Sequence, residues 1–182
     1  MKPTRSAASA TLAMALLAGC ATGRSEAPAP AEQPPGAAAA QLRDVSGRTV
    51  AAAALSDTGD ALRVRVEASG LAAGVYGAHL HAIGRCDPPA FESAGPHWNP
   101  GGREHGRDNP RGQHAGDLPN LLVGTDGRGS LEFSIPAAGL GRGARRLMDA
   151  DGAAIVLHAR PDDYRTDPSG NSGARIACGV VG

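Results

Sequence analysis

His79 and His81 stand two positions apart in Ala78-His79-Leu80-His81, a spacing that puts both imidazoles on one face of a β-strand. Ala78 and Leu80 then face the other way. His158 closes a second strand-like run, Ala154-Ile155-Val156-Leu157-His158, in which Val156 and His158 share a side. His97, His105 and His114 come from one Gly- and Pro-rich stretch, and Asp117 follows three residues after the last of them. These are all six histidines of the chain. Six imidazoles and a carboxylate supply enough ligands for two ions. Imidazole suits copper and zinc, and a carboxylate added to imidazoles favours zinc. The spacing by itself points to a metal site without naming its chemistry.

Strands and loops must position these residues. Gln41 to Val45 is short and followed by Gly47, and Thr49 to Leu55 runs into the turn Ser56-Asp57-Thr58-Gly59-Asp60. Leu62, Val64 and Val66 alternate with Arg63, Arg65 and Glu67, the period of a half-buried strand. Tyr76 to Ile83 reads as one strand. Leu121 to Val123 and the Leu131, Phe133, Ile135 run flank Thr125-Asp126-Gly127, a hairpin signal. Ala153 to Ala159 and Arg175 to Val181 complete the set. The expected fold is all-β, an antiparallel Greek-key sandwich or barrel of about eight strands. Gly84 to Asn120 breaks the pattern with 13 Gly or Pro in 37 residues. A loop of that length in a compact domain needs something other than an apolar core to order it. Pro161 to Gly173 is a second irregular stretch.

Composition bounds the rest. The 182 residues carry 18 Lys+Arg and 18 Asp+Glu, a balance that argues against a nucleic-acid binder. No run of 18 apolar residues is present to span a bilayer as a helix. Lys2 and Arg5 precede the apolar Ser9 to Leu17, and Leu17-Ala18-Gly19-Cys20 follows. Residues 1–19 read as a secretory signal whose ending resembles that of bacterial lipoproteins, with Cys20 as the lipidated first residue. Residues 20–40 are mostly Ala and Pro and read as a tether, leaving 41–182 as the folded domain. An exported chain meets an oxidising compartment, so Cys86 and Cys178 are expected to pair. With no thiolate left over, an iron–sulfur site is not expected.

Five segments carry a resemblance in common. They are Gly77-Ala78-His79-Leu80-His81-Ala82-Ile83-Gly84, Ser93-Ala94-Gly95-Pro96-His97-Trp98-Asn99-Pro100, His114-Ala115-Gly116-Asp117-Leu118, Val156-Leu157-His158-Ala159 and Gly173-Ala174-Arg175-Ile176-Ala177-Cys178-Gly179-Val180. In this order they resemble the copper,zinc superoxide dismutase family across essentially all of 41–182. The resemblance implies a copper ion held by His79, His81, His97 and His158. It implies a zinc ion held by His97, His105, His114 and Asp117, with His97 bridging the two. Arg175 matches the guanidinium that attracts and orients superoxide, Asp162 the carboxylate that ties His79 to His105, and Cys86 and Cys178 the family disulfide. Arg103, Arg107 and Arg111 are further candidates for steering an anion.

The expected protein is thus a superoxide dismutase. It is expected to be anchored to a membrane through Cys20, facing the periplasm or the cell exterior, and to form a possible homodimer. A copper- and zinc-binding envelope lipoprotein without turnover is the alternative, and Arg175 in its motif speaks against it.

Overall fold

The computed structural model describes Met1 and residues 35–182. The signal segment beyond Met1, Cys20 and most of the 20–40 tether lie outside the described residues. Among the described residues nine strands follow one another as β1 (Ala37–Asp44), β2 (Thr49–Asp57), β3 (Ala61–Ser69), β4 (Gly74–Tyr76), β5 (Ala78–His81), β6 (Leu121–Val123), β7 (Arg128–Pro136), β8 (Ala154–His158) and β9 (Arg175–Val180). They form one antiparallel sheet in the order β4-β6-β7-β3-β2-β1-β9-β8-β5. β1, β2 and β3 are a meander. The connection 137–153 carries the chain from β7, beside β3, across to β8, beside β9. That crossover separates a Greek key from a simple up-and-down sheet.

The alternation in β3 works as its sequence implies: Leu62, Val64 and Val66 are fully buried while Arg63, Arg65 and Glu67 are exposed. They join Leu42, Val50, Leu55, Leu80, Leu121, Ile155 and Leu157 in the barrel core.

Two boundaries differ from the sequence reading. The first strand begins at Ala37, not Gln41, so the last residues assigned to the tether belong to the fold. Ala38 and Ala40 are buried and pair in register with Leu55 and Ala53. An alanine run has too little apolar surface to stand out from a tether, yet its small side chains fit against the alanines of β2. The single strand read at Tyr76–Ile83 is two, divided at Gly77. β4 pairs with β6, and β5 pairs with β8, at opposite ends of the sheet order. Gly77 therefore joins the two ends of the sheet and nearly closes the barrel. Its N–H donates to the Arg160 carbonyl at 2.9 Å and its carbonyl accepts from the His158 N–H at 2.9 Å. A Cβ there would lie 2.9 Å from the Ser172 Cβ, so only glycine passes.

Between β5 and β6 the chain has no strand, only a single 3-10 turn at Glu92–Ala94. This long loop lies on the outer wall of the barrel. In β8, Ile155 and Leu157 point into the main core, whereas Ala154 and Val156 pack outward with Phe91, Ala94 and Cys178. The Cys86–Cys178 disulfide, with 5.6 Å between Cα atoms, fastens the loop to β9. It bridges a sequence separation of 92 residues. A cross-link of that span restricts the unfolded chain by about 4–5 kcal/mol. The Cys86→Ser/Cys178→Ser protein is expected to lose that much in denaturant unfolding of the metal-free form. A loss below about 1 kcal/mol would show that the unfolded chain is already compact around this link.

Candidate metal centre

β5 and β8 place His79, His81 and His158 on the outer wall, the side away from Ala78 and Leu80, which lie in the barrel core. The long loop brings His97 down onto them. The ligand atoms of His79, His81, His97 and His158 fall within 4.8 Å of one another, and all four residues are buried. The His79 and His97 rings stack with centroids 4.0 Å apart. A second group, drawn within the same distance, contains His79, His97, His105 and Asp117. His114 joins it by direct approach: its Nδ1 is 3.1 Å from Asp117 Oδ1 and 3.4 Å from His97 Nδ1. Asp117 Oδ1 also lies 2.9 Å from His97 Nδ1 and 3.1 Å from His105 Nδ1. Every expected ligand is therefore in one connected cluster, with His97 common to both groups.

Four of the six imidazoles have one nitrogen committed outward. His81 Nδ1 bonds the Gly95 carbonyl at 2.9 Å and His158 Nδ1 the Gly173 carbonyl at 3.1 Å. A carbonyl only accepts, so both Nδ1 atoms carry the proton and both Nε2 atoms keep a lone pair. Asp162 does the same for two more rings, accepting from His79 Nε2 at 2.8 Å and His105 Nε2 at 3.0 Å. The opposite atoms, His79 Nδ1, His81 Nε2, His105 Nδ1 and His158 Nε2, are buried without a hydrogen-bond partner. His105 Nδ1 is near Asp117 in distance but not aligned for a bond. On His79, His81 and His158 these are lone pairs; buried lone pairs left unpaired are costly, and inward-facing imidazole nitrogens are a cation's preferred donors. Around Asp117 the spacings are close to the roughly 3.3 Å between neighbouring ligand atoms of a tetrahedral zinc ion. The residues fit copper on one side and zinc on the other.

Asp162 is fixed in turn. Its backbone is bracketed by the Asn120 side chain, and its Oδ1 accepts the Tyr164 N–H at 2.7 Å. Gly170, in the left-handed region at φ +63, lets the chain pass directly over this carboxylate. A Cβ there would meet Asp162 Oδ1 and, at 2.7 Å, His105 Nε2. The sequence reading missed Gly170, Asn120 and Tyr164, although Gly170 sits in the irregular stretch it singled out.

Arg175 opens β9 and is half-buried. Its Nη1 donates to the Phe91 carbonyl at 2.7 Å and its Nη2 to the Gly95 carbonyl at 2.8 Å. Two carbonyls hold it, and among the described residues no carboxylate lies within ion-pair distance, so its charge stays available. Gly95 oxygen thus serves both Arg175 and His81, a role that no side-chain signal could reveal. His97, His158 and Arg175 line a cavity of about 960 Å³ together with Glu92 and Arg103. Of the three arginines considered for steering, only Arg103 faces this cavity. Arg107 lies 3.8 Å over the Tyr164 ring, and Arg111 pairs with Glu104 at 2.8 Å.

The two sides of the cluster hold protons differently. Burial holds His79 down to about 3 and His158 down to about 4, and it lowers His81 as well. These rings stay neutral, ready to bind a cation, far below the usual histidine range. Burial opposes charge on His105 too, but Asp117 and Asp162 outweigh it and raise the ring to about 9. Asp117 and Asp162 themselves ionise against burial because the histidines donate to them, well below the usual carboxylate range. In the metal-free protein the His105 contribution to stability is complete below about 6.5 and is lost as pH rises through about 9. The lowered rings act the other way, and stability falls as pH drops from about 6.5 toward 4 and 3. A zinc ion held by His105 Nδ1 would displace its proton. Loading the metal-free protein with zinc near pH 7.5 is expected to release about one proton, and release should fade as pH rises past about 9. Calorimetry in buffers of different ionisation enthalpy measures it, and zinc binding with no proton release would contradict this charge state.

The comparisons with known proteins bear on the same residues. The sequence profile of the copper/zinc superoxide dismutase (SODC) family matches residues 45–181. The superoxide dismutase-like protein YojM of Bacillus subtilis is 43% identical over 144 residues, covering 78% of this chain and 74% of that protein. Superoxide dismutase (Cu-Zn) 2 of Aquifex aeolicus is 41% identical over 146 residues, covering 78% and 84%. Among solved structures, the copper/zinc superoxide dismutase of Brucella abortus superposes with a TM-score of 0.62. It is 27% identical, and the match covers 80% of this chain and 99% of that one. Nine antiparallel strands, two overlapping ligand groups on the barrel wall and a family match spanning nearly all the described residues agree, and the chain belongs to the copper/zinc superoxide dismutase family.

Proposed function

We propose that this chain disposes of superoxide at the face of a membrane to which Cys20 anchors it, using the residues of the cluster in separate roles. The reaction converts two superoxide anions and two protons to dioxygen and hydrogen peroxide. His79, His81, His97 and His158 would hold copper, and His97, His105, His114 and Asp117 would hold zinc. Copper bound there supplies one-electron redox chemistry, and zinc, which does not change oxidation state, supplies order.

The chain's own side chains do the rest. Arg175 draws the anion into the cavity and orients it. Its fork is held by the Phe91 and Gly95 carbonyls, and it remains charged at any working pH. His97, shared by both groups, would hold a proton and deliver it as product forms. Asp162 keeps His79 and His105 in the tautomers that present Nδ1 inward. The observation that carries this reading is the convergence of unpartnered imidazole nitrogens beside an arginine that pairs with no carboxylate among the described residues.

The leader, with Cys20 at its end, supports an envelope location. Superoxide is an anion, so an enzyme facing the compartment where it forms meets it directly. The test is superoxide decay with the purified chain loaded with copper and zinc against the metal-free chain. Fast, copper-dependent decay abolished by a chelator is expected. Tight metal binding with no decay above the metal-free rate would instead mean metal storage or delivery. Intact-mass measurement of the protein recovered from bacterial membranes tests the anchor separately, through the acyl mass at Cys20.

A further inference from the structure

Four imidazoles of the cluster have an outer partner for the nitrogen that faces away from it, and His97 belongs to both ligand groups. His114 is the ring left over. Its Nδ1 faces Asp117 Oδ1 at 3.1 Å, so Nδ1 is the atom it offers a cation. A neutral imidazole whose Nδ1 binds a metal carries its proton on Nε2, and metal-bound histidines almost always donate that proton to an outer acceptor. Among the described residues His114 Nε2 forms no hydrogen bond. The carboxylate within ion-pair reach of it is Asp167, whose Oδ1 stands 4.0 Å away. About 1 Å of approach, or one water, closes that separation.

The same Oδ1 already grips the neighbouring ligand: it accepts the His105 backbone N–H at 2.6 Å. The His105 carbonyl accepts from the Asn109 side chain at 3.0 Å, so side chains take both backbone groups of this ligand. Asp167 lies on the β8–β9 connection, five residues after Asp162, which holds the His105 ring at Nε2. The turn that presents it is pinned. The Thr166 N–H and hydroxyl donate to Asp163 at 2.9 and 2.7 Å, and the Gly170 N–H donates to the Thr166 carbonyl at 2.6 Å. The Asp167 side chain is half exposed and lines the same cavity as His114. It pairs with no arginine among the described residues, so its acceptor capacity serves the two histidines.

We infer that Asp167 is a second positioning carboxylate for the zinc ligands, holding the His105 backbone and the His114 ring, a reading that rests on the zinc set proposed above. One connection then fixes the set through two acids. Asp162 sets the His105 ring and reaches across to His79 on the copper side, whereas Asp167 serves zinc ligands alone. Its removal therefore separates the two metals, which removal of Asp162 cannot do.

The test compares the copper- and zinc-loaded chain with Asp167→Ala and Asp167→Asn. Zinc and copper retention are measured against graded chelator. Cobalt(II) in place of zinc, with the copper reduced by ascorbate, reports the geometry of the set through its visible bands. In Asp167→Ala, zinc affinity is expected to fall about 10- to 100-fold and the cobalt bands to shift, while copper affinity stays within about threefold. Asp167→Asn should recover part of the loss, because its amide oxygen still accepts the His105 N–H but carries no charge. Zinc affinity within about threefold of the parent, with unchanged cobalt bands, overturns the inference. Equal loss of copper and zinc, with a lower unfolding midpoint of the metal-free protein, overturns it in favour of a general structural role. A parent chain that binds cobalt without tetrahedral bands sinks the zinc set itself, and is told apart because it needs no variant.

Discussion

His79→Ala is expected to bring superoxide consumption down to that of the metal-free protein. His79 is the residue with most to lose. Its Nδ1 belongs to the copper set, and its Nε2 holds Asp162, which in turn orients His105. Removing an outer partner of a metal ligand costs about 10- to 100-fold in affinity or activity. Removing the ligand together with its link to Asp162 is expected to exceed about 100-fold. The truncation also leaves Asp162 Oδ2 buried without its donor, a cost of about 1–3 kcal/mol, which a disulfide-bonded barrel tolerates. Copper content, superoxide decay and circular dichroism on the same preparation separate loss of the ligand from loss of the fold. A folded His79→Ala protein with full copper and more than a tenth of the parent rate would remove His79 from the copper set.

Arg175→Ala should keep both metals and lose about 10- to 100-fold in rate. The guanidinium touches two carbonyls and no imidazole, so the ligand groups survive its removal, and Gly95 still accepts from His81. What disappears is a charge-assisted contact to the anion, of a size that gives such a factor. Arg175→Lys is the sharper comparison. Lysine restores the charge but cannot span the Phe91 and Gly95 carbonyls with a planar fork, so recovery should be partial. The rate of the parent should also fall more steeply with added salt than that of Arg175→Ala. Copper loss in Arg175→Ala would make the residue a structural support of the site.

What the sequence makes legible, and what it hides, follows from where the information resides. Histidine at i and i+2 on a strand has few physical uses, so the copper-side residues stand out before any fold is known. The alternation of Leu62, Val64 and Val66 is likewise set by burial on one face. Ala38 and Ala40 hide because a methyl group carries little burial signal, although the pairing partners on β2 make them core. The break at Gly77 hides because one run of residues serves two strand pairings, a matter of the whole sheet. The Gly95 and Phe91 carbonyls hide because every residue has one, and only the tertiary structure aims them at Arg175. The three loop arginines look alike in sequence, yet one faces the cavity, one lies over Tyr164 and one is neutralised by Glu104.

Because β9 lies between β1 and β8, a nascent chain that stops short of Arg175 has synthesised all six histidines but has nowhere to put them. β8 would lack its neighbour, and with it the support that sets His158 against His79 and His81. β9 also carries Cys178, which ties down the loop bearing His97. Assembly of the site is therefore deferred until β9 has been made. A fragment that lacks β9 offers scattered imidazoles rather than the assembled pocket.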